Sequence, residues 1–148
     1  MLLRVADFTG DYAAIRRIRF AVFVDEQRVP VELELDERDR DCVHLLAFAG
    51  DEAVATGRID LAHGGKIGRV AVLAAHRGSG VGTALMEGLH GIARDHDLPE
   101  VWCNAQITAV PFYARLGYRI VSEPFDEAGI EHVRMTRVLA APGRKGKA

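Results

Sequence analysis

The sequence predicts a single mixed α/β (α+β) domain, in which an antiparallel meander of three strands precedes a parallel β–α–β crossover and helices flank the sheet. Apolar runs of β type over residues 43–49, 53–61 and 66–73 are separated by glycine-containing breaks, and breaks of this length join adjacent antiparallel strands. A glycine-rich turn and an amphipathic helical pattern then connect run 66–73 to a short apolar run at 101–104. Such a crossover requires the two strands that it connects to be parallel.

The segments before the meander predict a strand, a helix and an acidic connection. Residues 2–6 form a short apolar run typical of a strand. Between residues 14 and 23, apolar side chains recur with helical spacing and arginines fall mostly on the other side, so one amphipathic helix is expected. Residues 25–41 then hold eight acids against three arginines. This composition predicts either a solvated loop with a short helix or a surface that attracts a cationic substrate.

The segments after the crossover predict one more helix and two more strands. A short helix is expected over residues 109–116, because Thr108 can cap its start and Gly117 supplies the left-handed residue that ends it. Two apolar runs follow, which predict strands near 118–121 and 131–138. The whole is one domain over residues 1–141, and residues 142–148 are predicted to form a disordered basic tail.

Composition excludes several classes of protein. With 49% hydrophobic and 27% charged residues among 148, the chain has the composition of a globular domain. The net charge of −2 gives no basic field, which argues against nucleic acid or an anionic membrane as a partner. No apolar run is long enough to span a membrane. Two cysteines are too few for a disulfide framework, so we expect a cytoplasmic protein. Either a monomer or a homodimer is compatible with the sequence.

The glycine-rich turn predicts a site for an anionic ligand. Three glycines in five residues allow several backbone N–H groups to converge at the start of the following helix. The first acid of that helix is Glu87, so the positive helix end is free for an outside phosphate, and an arginine precedes the glycines. Neither the Walker A pattern nor the dinucleotide pattern G-x-G-x-x-G fits. The predicted phosphate-binding residues are Arg77, Gly78, Ser79, Gly80, Val81, Gly82 and Thr83.

Two motifs carry a resemblance to a known family. The pattern R-x-x-G-x-G at Arg77, Gly80 and Gly82, after a Val-Ala-Val strand, resembles the coenzyme A signature of the GNAT superfamily of N-acetyltransferases. A second stretch is similar to a later motif of that superfamily, with Gln106 in place of its usual asparagine: Gln106-x-x-Ala109-x-x-Phe112-Tyr113-x-x-x-Gly117-Tyr118. Further segments, including residues 19–30 and 66–73, resemble the small bacterial ElaA-like and YjcF-like branch.

The resemblance implies a GNAT-like fold and a set of residues that bind the donor, acetyl-CoA. The pyrophosphate would lie on the N–H groups of residues 78–83, and the pantetheine arm would pair with the backbone of Val70, Ala71 and Val72. Gln106 and Phe112 would also contact the coenzyme. The acetyl group would pass directly to a primary amine of a small molecule or protein, with Tyr113 as the general acid for the departing thiolate.

The residues on the acceptor side are less strongly indicated by the sequence. Glu26 is the first candidate for the base and for substrate binding, and His132 is a second candidate base. Asn104 ends a predicted parallel strand, where it would orient substrate or water. No cluster has zinc-ligand spacing, so no metal is expected. Two alternatives stay open, which are a non-catalytic acyl-CoA-binding or sensor domain and an acyl-homoserine-lactone synthase-like acyltransferase.

Overall fold

The computed structural model describes residues 1–34 and 36–139. The strands are β1 (Leu2–Val5), β2 (Val43–Ala49), β3 (Glu52–Asp60), β4 (Lys66–Val72), β5 (Glu100–Gln106), β6 (Arg119–Ile120), β7 (Phe125–Glu127) and β8 (Ile130–Val138). The α-helices are α1 (Tyr12–Arg19), α2 (Val31–Glu34), α3 (Val81–Asp95) and α4 (Val110–Arg115). Short 3₁₀ turns cover Glu37–Asp41, Leu61–His63, Ala74–His76 and Ile107–Ala109. The predicted disordered tail, 142–148, lies outside the described residues.

The strands form one eight-stranded mixed sheet, which confirms the predicted fold class. The order is β1-β2-β3-β4-β5-β8-β6, with β7 paired to β8. Strands β2, β3 and β4 form the antiparallel meander, and β4 pairs with β5 in parallel through the α3 crossover. Strand β7, which the sequence pattern did not predict, extends the β8 hairpin at Phe125–Glu127.

Strands β4 and β5 pair at one end only, and this opens a cleft in the middle of the sheet. Their single register pair is Lys66 with Trp102. The pairing of β3 with β4 shifts between Thr56 and Arg58, where the β4 residue Arg69 has a left-handed backbone, φ 52°. A bulge of this kind bends a strand and increases its twist. Beyond Lys66 the two parallel strands therefore separate toward their carboxyl ends.

The two faces of the sheet are covered by different helices. On one face, α3 buries Leu85, Met86 and Leu89 against the inner strands. Gly88 allows this close approach, since a Cβ there would lie 2.8 Å from Leu45 Cδ1. On the other face, α1 buries Ile15 and Ile18 in a second cluster. None of the described helices is both long and apolar enough to cross a membrane.

The predicted first helix is helical throughout but changes type. After α1 the chain continues as a π-helix over Phe20–Glu26. The spacing of apolar residues does not distinguish the two helix types over so short a segment, so the sequence predicted one continuous α-helix. Such π-helical turns are rare and occur frequently at functional sites, and this one leads directly to the cleft.

Candidate active site

The cleft between β4 and β5 contains a cavity of about 530 Å³. Its walls come from the end of the π-helix, from α2 and the 3₁₀ turn after it, from strands β3, β4, β5 and β8, and from α4. A cavity of this volume is within the range of small-molecule sites. Five predicted site residues line it, and they are Val70, Asn104, Gln106, Tyr113 and His132. Gln106 lies on the same wall as Asn104.

The glycine turn has the geometry of an anion cradle. Gly78 and Gly80 have φ of 77° and 87°, a conformation that other residues adopt rarely, and a Cβ at either position would meet nothing within 4 Å. The first helical hydrogen bond of α3 runs from the Ala84 N–H to the Gly80 carbonyl, 3.0 Å. The N–H groups of residues 81–83 precede this bond, and no side chain caps the helix. These donors and the helix dipole point to open space where an anion can bind.

Arg77 and Glu26, which the sequence indicated separately, lie in direct contact. Arg77 Nη2 donates to Glu26 Oε1 at 2.8 Å, and Arg77 Nε donates to the Val72 carbonyl at 2.9 Å. Both side chains remain partly exposed. The ion pair joins the end of the π-helix to the glycine turn, and it occupies one oxygen of the carboxylate that the sequence proposed as a base.

Tyr113 lies against two other aromatic rings at the edge of the cavity. Its ring packs edge-on against Phe112 at 5.2 Å and against Tyr118 at 5.5 Å between centroids. Burial raises the pKa of Tyr113 well above its ordinary value, so the phenol stays protonated at neutral pH. The Tyr118 hydroxyl lies 2.6 Å from Nε2 of the buried His90. No hydrogen bond to the Tyr113 hydroxyl is present within residues 1–34 and 36–139, which leaves that proton available to a ligand.

The wall formed by β5 and β8 brings together amide and imidazole groups. Gln106 Nε2 donates to Gln27 Oε1 at 2.8 Å, and Asn104 Nδ2 donates to Glu127 Oε1 at 3.2 Å. His132 lies opposite Gln106 in the strand register, and its Nδ1 is 2.7 Å from the Ile130 carbonyl. A carbonyl only accepts, so Nδ1 donates to it, and the other ring nitrogen, Nε2, lies 3.9 Å from Glu127 Oε2.

A network of buried ion pairs forms the opposite wall, and sequence reasoning missed it. Arg19, fully buried, contacts Glu34 and Asp39. Arg58 binds Asp36 and Asp39, Arg69 contacts Asp36 and Glu34, and Arg38 binds Asp60. The hydrogen bonds from Arg58 lower the pKa of Asp36 to about 2. The mixture of acids and arginines in residues 25–41 was the only signal in the sequence for such a network. It could not identify the ion pairs, because several of the arginines lie outside this segment.

The network changes the interpretation of the acidic segment. Its acids Glu34 and Asp39 are buried, which a solvated loop would not produce. Asp36 and Asp39 are paired with arginines of this chain, and Glu34 pairs with Arg19 through Oε2, so most of the negative charge of the segment is compensated internally. The segment is therefore a folded wall of the cavity, held by charge pairs.

Three other residues, His44, Cys42 and Cys103, have surroundings that indicate a structural rather than a catalytic role. His44 is buried, stacks on Phe8 at 4.8 Å between ring centroids, and its Nε2 lies 2.8 Å from the Asp39 carbonyl. Burial raises the pKa of the Cys103 thiol to about 12 and that of Cys42 to about 11, so neither is a ready nucleophile. In the part of the chain that the structure describes, no group of three or more metal-ligating side chains converges.

The family model and the similar proteins of known sequence all indicate the same family. The family model "Acetyltransferase (GNAT) domain" matches residues 7–139. The uncharacterized N-acetyltransferase YjcF of Bacillus subtilis (strain 168) is 42% identical over 122 residues, which are 81% of this chain and 87% of YjcF. Protein ElaA of Escherichia coli (strain K12) is 37% identical over 131 residues, 84% of this chain and 85% of ElaA.

Solved structures agree in fold along nearly the whole chain. The crystal structure of Escherichia coli ElaA superposes with a TM-score of 0.83 at 32% identity and covers 93% of this chain and 99% of that one. An acyl-CoA N-acyltransferase from Pseudomonas aeruginosa gives a TM-score of 0.82 at 30% identity, with 93% and 100% covered.

Proposed function

The chain belongs to the GNAT acetyltransferase family, in its ElaA-like and YjcF-like branch, and from this membership we propose that it transfers the acetyl group of acetyl-CoA to a primary amine of a small molecule or protein. The observation that carries the proposal is the cleft between β4 and β5. Its cavity is lined by Tyr113 and by the amide residues Asn104 and Gln106. Both cysteines are free thiols, which supports the reducing cytoplasm as the place of the reaction. The acting form would be a monomer or a homodimer.

Two features support acyl-CoA as the donor. The unpaired N–H groups at the start of α3 suit a pyrophosphate, with no acid in the first turn to compete. Within residues 66–72, β4 has β3 on one edge, and its other edge meets β5 only at Lys66. The backbone of Val70, Ala71 and Val72 is thus available to an extended pantetheine arm, although the Val72 carbonyl already accepts from Arg77. Arg77 would orient this edge as well as contribute positive charge near the phosphates.

The chemistry is a direct acyl transfer. The amine nitrogen attacks the thioester carbonyl, a C–N bond forms, and the C–S bond breaks as the thiolate leaves. Tyr113 gives its proton to that thiolate, because burial keeps the phenol protonated. The proton lost by the amine goes to His132 Nε2 or to a water beside it, since Nδ1 is already bound to the Ile130 carbonyl. Glu26 is the alternative base, but its contact with Arg77 favours a role in holding the arginine.

The test is the variant Tyr113→Phe, assayed by free-thiol release from acetyl-CoA across a panel of amines. Because a positioned general acid typically contributes about 10²- to 10⁴-fold, kcat should fall by that order while the Kd of coenzyme A, measured by calorimetry, stays within about threefold. Tyr12→Phe is the matched control, since Tyr12 is in α1 and packs on Phe8 away from the cavity. A Tyr113→Phe enzyme with full kcat would remove Tyr113 from the mechanism.

Three further results would change the proposal itself. Failure to bind coenzyme A would contradict the assignment of the glycine turn. Tight binding of acetyl-CoA with no turnover on any amine would indicate a non-catalytic acyl-CoA-binding domain. Turnover of longer acyl donors on a homoserine-type acceptor, without acetyl transfer, would indicate the acyl-homoserine-lactone reaction.

The position of the acceptor has its own test in Gly68, which lines the cavity. A Cβ at Gly68 would meet nothing within 4 Å, and its backbone does not have positive φ. The fold therefore has room for a Cβ at this position, and Gly68→Val adds volume to the cavity. We expect KM for the amine to rise and the Kd of coenzyme A to change little. An unchanged KM would place the acceptor outside this cavity.

A further inference from the structure

Resting on the proposed acyl transfer, we propose that the acceptor is an amine that also carries an anionic group such as a carboxylate, a molecule of amino-acid type. Its amine end would face the unpartnered oxygens of Asn104 and Glu34. Its anionic end would face the ammonium of Lys66. All three side chains line the same cavity.

The first step is the charge balance of the cavity wall. Arg58 is paired with Asp36 at 2.8 Å, Arg38 with Asp60 at 2.8 Å, and Arg69 with Asp36 at 3.2 Å. These side chains satisfy one another, so they offer little net field to a ligand. Recognition then depends on the polar groups that are left without a partner.

Two such groups are hydrogen-bond acceptors. Glu34 is 1% exposed, and its Oε1 has no hydrogen-bond partner among the residues described. The same holds for the buried Oδ1 of Asn104. The orientation of that amide is fixed by Glu127, whose carboxylate accepts from Nδ2 at 3.2 Å and would repel an oxygen in that position. Because both orphaned atoms only accept, the missing ligand must bring N–H or O–H donors.

The third group is a cation. Lys66 lies on the cavity with its Nζ 5.3 Å from the centroid of the Trp102 ring. Within residues 1–34 and 36–139 no carboxylate lies within ion-pair distance of this ammonium, in contrast to Arg38, Arg58 and Arg69. An anionic group on the ligand would supply the missing partner through a charge-assisted hydrogen bond.

The strand register sets the separation between the two ends. Lys66 is opposite Trp102, and Asn104 is two residues further along β5. Two residues of a strand span roughly 7 Å, a distance that an amino acid together with the flexible lysine side chain can bridge. A polyamine fits less well, because its second cationic group would lie against Lys66.

The experiment compares pairs of amines in which a methyl group replaces the carboxylate. The pairs are alanine with isopropylamine, β-alanine with propylamine, and 4-aminobutyrate with butylamine. Wild-type protein should show the higher kcat/KM for the acid in at least one pair. In Lys66→Met this preference should fall about tenfold or more, since hydrogen bonds between charged groups are the stronger class. Lys66→Arg, which keeps the charge, should retain most of it.

A second readout separates this inference from the proposed function. Each amine is titrated into protein saturated with coenzyme A, and binding is followed by NMR shifts. If no amine is acetylated but the acid binds more tightly and loses this advantage in Lys66→Met, the acceptor class is supported although the proposed reaction fails. If turnover occurs with equal preference for both members of every pair, or if Lys66→Met leaves a preference unchanged, the acceptor class is wrong. Equal binding without turnover overturns both.

Discussion

Replacement of the buried Arg19 by methionine tests whether the ion network holds the cavity wall. Arg19 donates to Glu34 Oε2 at 2.6 Å, to the Glu34 carbonyl at 2.8 Å, and to the two oxygens of Asp39 at 2.9 and 3.3 Å. Methionine keeps an unbranched apolar stem, so the packing around this last residue of α1 changes little. What is lost is the charge that compensates two buried carboxylates.

The expected loss is about 3–5 kcal/mol in the free energy of unfolding at pH 7, the range for removal of one partner from a buried ion pair. The pH dependence gives a second check. Burial alone would raise the pKa of Asp39, but Arg19 and Arg58 hold it below its ordinary value. Native stability from this group is therefore present above about pH 4 and lost as pH falls through the lowered pKa. In Arg19→Met the carboxyl can protonate more readily, so the difference from wild type should shrink at acid pH.

The measurement is urea unfolding of wild type, Arg19→Met and Arg19→Lys at pH 7 and pH 4. Arg16→Met is the matched control, because Arg16 is exposed on the same helix and its guanidinium lies over the Phe20 ring at 4.2 Å. That control should change the unfolding free energy by less than about 1 kcal/mol. A loss in Arg19→Met no larger than in Arg16→Met would refute the reasoning.

Two further predictions concern the glycines of α3 and the buried His44. Gly91→Ala should stabilise the protein by about 0.5–1 kcal/mol, since its Cβ meets nothing within 4 Å. Gly88→Ala should be less stable than Gly91→Ala by about 1–2 kcal/mol, because its Cβ would lie 2.8 Å from Leu45 Cδ1. Thermal unfolding compares the two variants, and equal effects would contradict the packing. Burial lowers the pKa of His44, so folded protein resists a proton that the unfolded chain accepts, and stability should fall as pH drops below about 6.5. His44→Gln should flatten the dependence of Tm on pH between 7 and 5, and an unchanged slope would contradict this assignment.

The parts of the fold that the sequence predicted are those encoded by local pattern. The meander follows from apolar runs and glycine breaks, and the crossover follows from the turn and the helical spacing after it. Strand β7 was missed because Phe125–Glu127 is three residues long and carries two acids, too short for an alternating pattern. The separation of β4 from β5 was missed for another reason, since the left-handed residue at the bulge is Arg69 rather than a glycine.

The candidate site shows the same difference between features encoded by a local pattern and features that depend on distant residues. The glycine turn is a contiguous segment whose residue types determine its backbone, and its geometry agrees with the sequence. The contact of Arg77 with Glu26 joins residues far apart in the chain, and no local signal indicates it. The orphaned oxygens of Asn104 and Glu34 depend on which partners the fold brings near, so they are visible only in three dimensions.

Arg69 links these separate features into one arrangement. Its left-handed backbone accompanies the bulge of β4, and its side chain donates to the Glu34 carbonyl at 3.0 Å and to Asp36 at 3.2 Å. The residue at the point where the sheet opens thus also holds the segment that covers the opening. Because buried ion pairs seldom add more stability than apolar packing of the same volume, stability alone is a weak reason for four arginines at this wall. Positioning is the stronger reason, since Arg19 holds one carboxylate oxygen of Glu34, a residue that lines the cavity.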